Sequence, residues 1–507
     1  MDGFAADVII VGAGPTGLML AAELRLAGVA TTVVERFTEP MQESRALGFS
    51  ARTIEEFDQR GLLPRFGELQ TIPVGHFGGL PLDYRVIPGG SYGARGVPQS
   101  TTEAILADWA CGLGATLHRG YEVVGLHDDD DGVEVEVVAP YAGRKRLRAR
   151  YVVGCDGARS TVRRLAGIDF PGTEPTLEMW LADVAGCQLR PRFSGERVPG
   201  GMVMVLPLGP HASRVVVYER AAPLRHSQDP PTFGQVADAW ERLTGEDIHG
   251  GRPLWVSWFT DSSRQASAYR RGRVFLAGDA AHVHLPIGGQ GMSAGVQDAV
   301  NLGWKLAAAV HGYAPPELLD TYHTERHPVG ARVLANTLAQ RFLYLGPDRI
   351  QPLRDVVAEL MEYEDVRQHL VGMVTGLDVR YDVGAGDHPL LGRRLPQQEL
   401  VGDVGRSGKS STFEQLHAAR GLLLDLADQP AVRAAAAGWA DRVDVVTAAA
   451  HVVGPGTPLD GVAALLVRPD GYVAWVGPGE PAGAGLPEPA GLGPALDRWF
   501  GSPAAGR

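Results

Sequence analysis

The sequence predicts an α/β fold: a Rossmann-like dinucleotide-binding domain, an inserted and mostly antiparallel β region, and a separate small α/β domain at the C-terminal end. Three glycine-punctuated segments carry the prediction: Gly12-Ala13-Gly14-Pro15-Thr16-Gly17, Cys155-Asp156-Gly157-Ala158-Arg159-Ser160, and Gly272-Arg273-Val274-Phe275-Leu276-Ala277-Gly278-Asp279. In each, glycine sits at or just beyond a short apolar run of the kind that forms a buried parallel strand. At 507 residues the chain exceeds one ordinary core and suits about three domains.

The first segment follows Asp7-Val8-Ile9-Ile10-Val11, a strand, and precedes a helix over 18–27. Gly12 allows the tight turn, Gly14 lets backbone amides approach a pyrophosphate, and Gly17 lets the helix pack on the strand. A second strand over 31–34 ends in Glu35, whose carboxylate suits ribose hydroxyls and argues against a 2′-phosphate there. A helix over 53–60 follows, then a glycine- and proline-rich excursion over 74–96. Residues 101–112 read as a helix and 120–138 as a hairpin whose acidic run, Asp128 to Asp131, suits a solvated turn; the run lacks the spacing of a calcium loop.

A strand over 151–153 delivers Asp156-Gly157, and the chain then changes character over 171–270. Met202 to Val205, Arg214 to Tyr218 and Trp255 to Trp258 read as antiparallel strands. Met204, Tyr218 and Trp258 are candidates for a pocket wall, beside the plainer reading that such alternation marks sheet core. The third segment enters a glycine-rich loop, Pro286 to Met292, that opens a helix over 293–310, and further helices run to about 376. Beyond about 391 strands restart at 421–425, 443–446, 463–467 and 472–476, with Pro469-Asp470-Gly471 as a turn and 477–493 as a loop or weakly ordered tail. The expected domains are therefore 1–73, 97–170 and 271–390 for the dinucleotide, 74–96 and 171–270 for a substrate, and 391–507 at the end.

A hydrophobic content of 45% and a charged content of 21% suit a folded enzyme, and a net charge of -12 disfavours nucleic acid or an anionic membrane as partner. A small, largely uncharged substrate fits better. Cys111, Cys155 and Cys187 show neither a Cys-x-x-Cys nor metal-ligand spacing, and His282 and His284 lack a third ligand nearby, so no metal is expected. With no leader-like start and no span-like apolar stretch, the expected location is cytoplasmic.

In this order the segments closely resemble the single-component FAD-dependent aromatic hydroxylases of the p-hydroxybenzoate hydroxylase type, over nearly the whole chain. The resemblance implies that Gly12, Gly14, Gly17 and Glu35, with Pro15, Thr16 and Arg36 beside them, hold the ADP half of FAD. Arg45 and Gln99 match FAD contacts. Asp156-Gly157 matches a motif linked to FAD and to transient NAD(P)H binding, and Asp279 matches the aspartate that bonds the ribityl chain. Pro286, Gly289, Gln290, Gly291 and Met292 match the loop beside the isoalloxazine ring. Physical reasoning converges on that loop, since amides at a helix N-terminus suit the anionic edge of reduced flavin. Asp279 also reads as a helix N-cap, Arg159 reads equally as a pyrophosphate contact or an internal pair, and Ser293 stands where relatives commonly carry Asn.

Gly75-His76-Phe77-Gly78-Gly79-Leu80-Pro81, Arg52-Thr53 with Phe57-Asp58-Gln59-Arg60-Gly61, and Pro199 to Val205 resemble the angucyclinone-hydroxylating polyketide oxygenases of actinobacteria. That subgroup implies a thioredoxin-like C-terminal domain, which without a cysteine beyond Cys187 would be structural. The implied activity is NAD(P)H-driven hydroxylation of a polycyclic aromatic polyketide by molecular oxygen through a flavin C4a-hydroperoxide. Baeyer-Villiger oxygenation and a non-oxygenating flavin-binding role are the alternatives. No acid or base is assigned, NADPH and NADH are both open as reductant, and a homodimer is one open oligomeric state.

Overall fold

The computed structural model describes residues 5–504 apart from 70, 88–92, 95–96, 140–142, 226–228, 403, 406–407, 451–457 and 479–489. Its main sheet is ordered Arg270–Arg271, Val274–Leu276, Gly143–Gly154, Ala6–Val11, Thr31–Glu35, Thr116–Arg119, and every pair after the first is parallel. Val8, Ile9 and Ile10 of the central strand are wholly buried, which is why that run is apolar without alternation. The register sets Val11 beside Gly154 and Gly154 beside Leu276, so all three glycine segments leave the sheet from one rung. Helices Pro15–Leu26, Gln99–Gly112 and Gln290–His311 pack around this sheet.

Glu122–Asp128 and Val133–Ala139 form the expected hairpin, which extends the sheet by pairing with Gly143–Gly154. In its acidic turn Asp129 accepts the amides of Asp131 and Gly132 and a forked bond from Arg148, the pattern of an ordinary turn. The excursion after residue 73 contains the hairpin Val74–Phe77 and Leu80–Asp83; part of it lies outside the described residues.

The inserted sheet has five strands, ordered Arg192–Val198, Gly201–Pro207, Ala212–Glu219, Glu178–Ala185, Arg252–Thr260, all antiparallel. Helix Phe233–Thr244, opened by a Thr232 and Gln235 capping box, covers one face and buries Trp240 completely. The other face turns toward the main domain.

The C-terminal unit has the thioredoxin-like order. Gly421–Asp425 lies parallel to Val443–Ala450 and antiparallel to Val462–Val467, which forms a hairpin with Val473–Pro478, and helices Pro430–Ala436 and Leu492–Phe500 complete it. The last helix begins inside the stretch read as a loop, a correction: Gly493 and Pro494 look like breakers but occupy its first turn, where proline is tolerated. Residues 479–489 of that stretch lie outside the described residues.

The turn Arg468 to Gly471 is driven into the main domain. Arg468 donates to Glu325 at 2.6 and 2.9 Å and pairs with Asp470. Asp470 also accepts from Trp304 and Asn301, Arg52 donates to its carbonyl at 3.1 Å, and Arg60 donates to the Pro469 carbonyl at 2.8 Å. Arg52, Lys305 and Arg468 are fully buried, so each charge depends on its partners. Burial alone would raise the Glu325 carboxyl, but Arg468 and Lys305 outweigh it and bring it down to about 2.

Removing one member of this network should be costly. Asp470→Ala is expected to lose about 3–5 kcal/mol, the cost of leaving a buried partner charge unpaired. Asp444→Ala, which breaks the half-exposed pair with Arg420, should lose under about 1 kcal/mol. Calorimetric unfolding of the two variants checks the contrast.

Candidate cofactor and substrate site

The three strand ends build one corner of the molecule. Gly12 has φ of +109°, and a Cβ on it would strike the Cys155 carbonyl; one on Gly17 would strike the carbonyl of Gly12. The first and second segments are thus pressed together. Thr16 is wedged against Gly278 and Gly295, which brings the third segment and the loop helix onto the same turn. Gly14, Gly157 and Gly289, by contrast, face open space, with no atom within 4 Å of an added Cβ. The structure thereby sorts the glycines into those that lock the corner and those that line it.

Glu35 accepts the Ala13 amide at 2.8 Å and the Phe37 amide at 2.9 Å, which fixes its carboxylate at the mouth of the turn. Arg36 is exposed and lies over Phe37. Gln99 donates its backbone amide to the Ala46 carbonyl and its side chain to Glu103, so Arg45 and Gln99 are held side by side. Burial raises the Glu103 carboxyl, Gln99 opposes this, and the charge of Glu35 adds to it. The Arg45 side chain is exposed, while its carbonyl accepts from Arg214 at 2.9 Å. Arg214 makes a forked bond to Asp183, which ties the inserted sheet to this corner.

Asp156 caps the helix Thr161–Leu165 by accepting the Thr161 and Val162 amides through Oδ2, while its Oδ1 is buried without a partner among the described residues. Asp279 is exposed in the three-residue turn Gly278–Ala280. The capping reading does not hold for it, because no side-chain cap bond forms and the Gly278 amide donates to Asp298. His282 pairs with Asp298 at 2.7 Å, and Arg326 reaches Asp298 at 2.7 Å from the following helix. Burial opposes the Asp298 charge, but Arg326 and His282 hold its carboxyl below the usual range. His284 bonds the Leu285 carbonyl through Nδ1 and turns a buried Nε2, without a partner among the described residues, toward Gly291; burial pulls its pKa down.

The loop itself runs Pro286, Ile287, Gly288, Gly289 and into Gln290–His311. Gly288 and Gly289 are exposed at φ of +73° and +67°, a left-handed pair that starts the helix. Met292 is half-buried on the helix side. The Gln290 side chain is a correction: it is buried, accepts from Asn336 and donates to the Ile287 carbonyl, so helix packing occupies it. Ser293 accepts the Ser50 amide at 3.0 Å and so anchors the start of helix Ala51–Asp58.

Leu285 and Ile287, either side of Pro286, pack against the inner face of the inserted sheet with Met202, Val216 and Tyr218; Met204 adjoins the same cluster. Trp258 does not share that wall. It lies opposite Trp180, whose register partner is Val217 on the helix-covered face, and the two-residue alternation of a strand separates it from Met204 and Tyr218. Arg225 lies over both Trp180 and Trp258 there. A cavity of about 320 Å³ opens behind the loop, lined by Gln290, Ser293, Gln297, Asn336 and Tyr381; it excludes Met204, Tyr218 and the glycine turns.

Asp298, Arg326, Asn336 and Gln340 escape the sequence reading. Only the last two carry a faint signal, being polar residues at four-residue spacing that the structure buries; Asp298 and Arg326 carry none.

The donor set fits FAD. It combines open glycines at a helix N-terminus, a carboxylate fixed beside the first turn, an exposed Asp279 at the third strand end, and an exposed loop that opens the helix Gln290–His311. Residues 5–337 match the FAD binding domain family, and residues 388–503 match the aromatic-ring hydroxylase C-terminal family. The chain is 46% identical to the 12-dehydrotetracycline 5-monooxygenase/anhydrotetracycline 6-monooxygenase of Streptomyces rimosus subsp. rimosus, over 98% of this chain and 99% of that one. Its structure is similar to that of CabE, an aromatic hydroxylase from angucycline biosynthesis, with a TM-score of 0.93 and 60% identity over 99% of this chain and 100% of the other. It is also similar to aklavinone-11 hydroxylase solved with FAD and aklavinone, with a TM-score of 0.78 and 25% identity over 99% and 100% of the two chains.

At the edge of this site, the Gly79 amide donates to His76 Nδ1 at 3.3 Å, and burial brings the His76 pKa from 6.5 down to about 4. Because the folded-state value is the lower one, the hairpin is fully stable at and above about pH 6.5 and loses stability as the pH falls toward 4. Hydrogen exchange of peptides covering 74–83, corrected for intrinsic rate, should show protection falling over that window, and a His76→Asn variant should flatten the fall.

Proposed function

The chain belongs to the FAD-binding aromatic-ring hydroxylases, and on that footing we propose that its substrate is a polycyclic aromatic polyketide of the angucyclinone type, with NADPH or NADH as a transient reductant. It is an FAD-dependent monooxygenase. When bound, FAD would supply the redox chemistry: hydride acceptance from the nicotinamide and insertion of one atom of molecular oxygen at an electron-rich ring carbon, with the other atom lost as water.

The protein's part is binding, orientation and exclusion of water. The turn at Gly12, Gly14 and Gly17 would offer amides and a helix N-terminus to the pyrophosphate, and Glu35 would accept from the ribose. Asp279 would accept from the ribityl chain, and the loop from Gly288 to Gly291 would present amides to the ring edge. Met204 and Tyr218 contribute to an apolar wall that orients the polyketide and keeps water from the reacting carbon. The observation that supports this reading best is the packing of Leu285 and Ile287, either side of Pro286, against that same sheet face. No feature of the described site calls for a Baeyer-Villiger outcome or for a flavin held without turnover. A cytoplasmic location, where nicotinamide reductant is made, completes the proposal; among the described residues no helix is long and apolar enough to cross a membrane.

Two outcomes are expected. FAD-loaded protein should oxidise NADPH or NADH faster when angucyclinones are present and yield a product one oxygen heavier whose carbon skeleton is intact by NMR. A ring-expanded skeleton, or nicotinamide oxidation with no product across the panel, would refute it. Asp279→Ala should raise the FAD dissociation constant roughly 10- to 150-fold by equilibrium dialysis, matching the loss of a charge-assisted hydrogen bond worth about 1.5–3 kcal/mol.

A further inference from the structure

A one-way chain of hydrogen bonds connects the hairpin tip at Gly78 to the loop at Ile287. The Gly78 amide donates to Gln340 Oε1 at 3.1 Å, and Gln340 Nε2 donates to Asn336 Oδ1 at 2.9 Å. Asn336 Nδ2 then donates to Gln290 Oε1 at 2.9 Å, and Gln290 Nε2 donates to the Ile287 carbonyl at 3.4 Å. Each amide accepts on one side and donates on the other, so the two backbone groups at its ends set the orientation of every member. Gln290, Asn336 and Gln340 are buried, and buried chains of this kind polarise and reinforce one another.

The hairpin end of the chain is held firmly. Arg354 donates to the Gly78 carbonyl, a Cβ on Gly79 would strike the Tyr344 ring, and Tyr344 donates to the Ser194 carbonyl of the inserted sheet at 2.6 Å. At the other end, Ile287 precedes the exposed Gly288 and Gly289 directly. The helix Asp320–Leu345 supplies both central members at four-residue spacing, Asn336 and Gln340. The chain contains no titratable group, stays clear of the turn at Gly12 to Gly17, and ends on Ile287, whose side chain packs on the apolar sheet wall.

We propose that Asn336 and Gln340 are positioning residues that hold the loop amides in register with the hairpin and sheet, and thereby set how readily bound FAD is reduced. This rests on the reading that the loop from Gly288 to Gly291 meets the flavin ring. The hairpin, the inserted sheet and the loop then act as one unit, and loosening the middle of the chain frees the loop amides while the turn at Gly12 to Gly17 stays as it is.

The test uses FAD-loaded protein and spectroelectrochemical titration of the bound flavin. Gln340→Met and Asn336→Leu should each change the ratio of reduced to oxidised FAD at fixed potential by at least about fivefold, the lower end of ordinary coupling between sites. That corresponds to about 20 mV for a two-electron couple. Gln340→Glu, whose neutral form keeps an acceptor and a donor, should restore the parent value. The double variant should shift no further than the larger single, because both cut one chain. FAD-retaining variants with parent-like potentials, or shifts that add, would overturn the proposal. If Asn336→Leu does not fold, Gln340→Met and its Glu counterpart decide. If neither folds, hydrogen exchange of the parent decides, with peptides over 76–80 and 285–291 expected to open with one free energy and independent opening counting against. A parent that takes up no FAD would remove the loop reading itself, whereas a parent with normal flavin and no polyketide product would remove only the substrate proposal.

Discussion

The cofactor corner depends on a single buried carboxylate. Asp298 receives the Gly278 amide at 3.0 Å, the His282 ring at 2.7 Å and the Arg326 guanidinium at 2.7 Å, and so joins a strand end, the loop helix and the next long helix. A charge in that position is tolerable only because it is fully paired. With these elements fixed, Thr16 can lodge between Gly278 and Gly295, and the first glycine turn is pulled onto the third. The helix that the loop opens is thereby tied to the third strand end and to the next long helix by a buried ion pair.

Much of this was legible in the sequence because strands and glycine turns write themselves locally. An apolar run such as Val8 to Val11, the Gly17 position where a Cβ would collide with the nearby Gly12 carbonyl, and an acid at the end of the second strand are short-range requirements that survive without tertiary context. The same locality explains the failures. Trp258 looks like its neighbours in composition, and only the register of Arg252–Thr260 against Glu178–Ala185 shows which face it takes. Gln290 sits inside a glycine motif, yet the residue that captures its side chain, Asn336, lies 46 positions away. Asp298 and Arg326 are ordinary helix residues until two helices are set beside each other. Long-range polar partners leave almost no trace in one chain.

The C-terminal unit is bound to the rest by charge as well as by apolar packing. Trp304 and Ala308 share a cluster with Trp499 and Phe500, but the buried turn from Arg468 to Asp470 sets the alignment, since Glu325, Arg52 and Arg60 must all meet it at once. The motif from Arg52 to Gly61, read in the sequence as a mark of a subgroup, is explained by this contact: Gln59 lies against Gly471, and Arg60 is held by Glu23 while it reaches Pro469. A domain without cysteines is thereby made part of the dinucleotide domain's own frame.

Cys155 sits where the first two glycine segments meet, its carbonyl against Gly12 and its Cβ against Gly17. Burial, reinforced by the charges of Asp156 and Asp298, holds its thiol well above the ordinary range. Sulfur in that state is a poor nucleophile. An enzyme that activates oxygen will at times release hydrogen peroxide instead of product, and it is the thiolate form of cysteine that such an oxidant converts to sulfenic acid. Kept protonated, it gives the oxidant little to attack, and the chain withstands its own misfires.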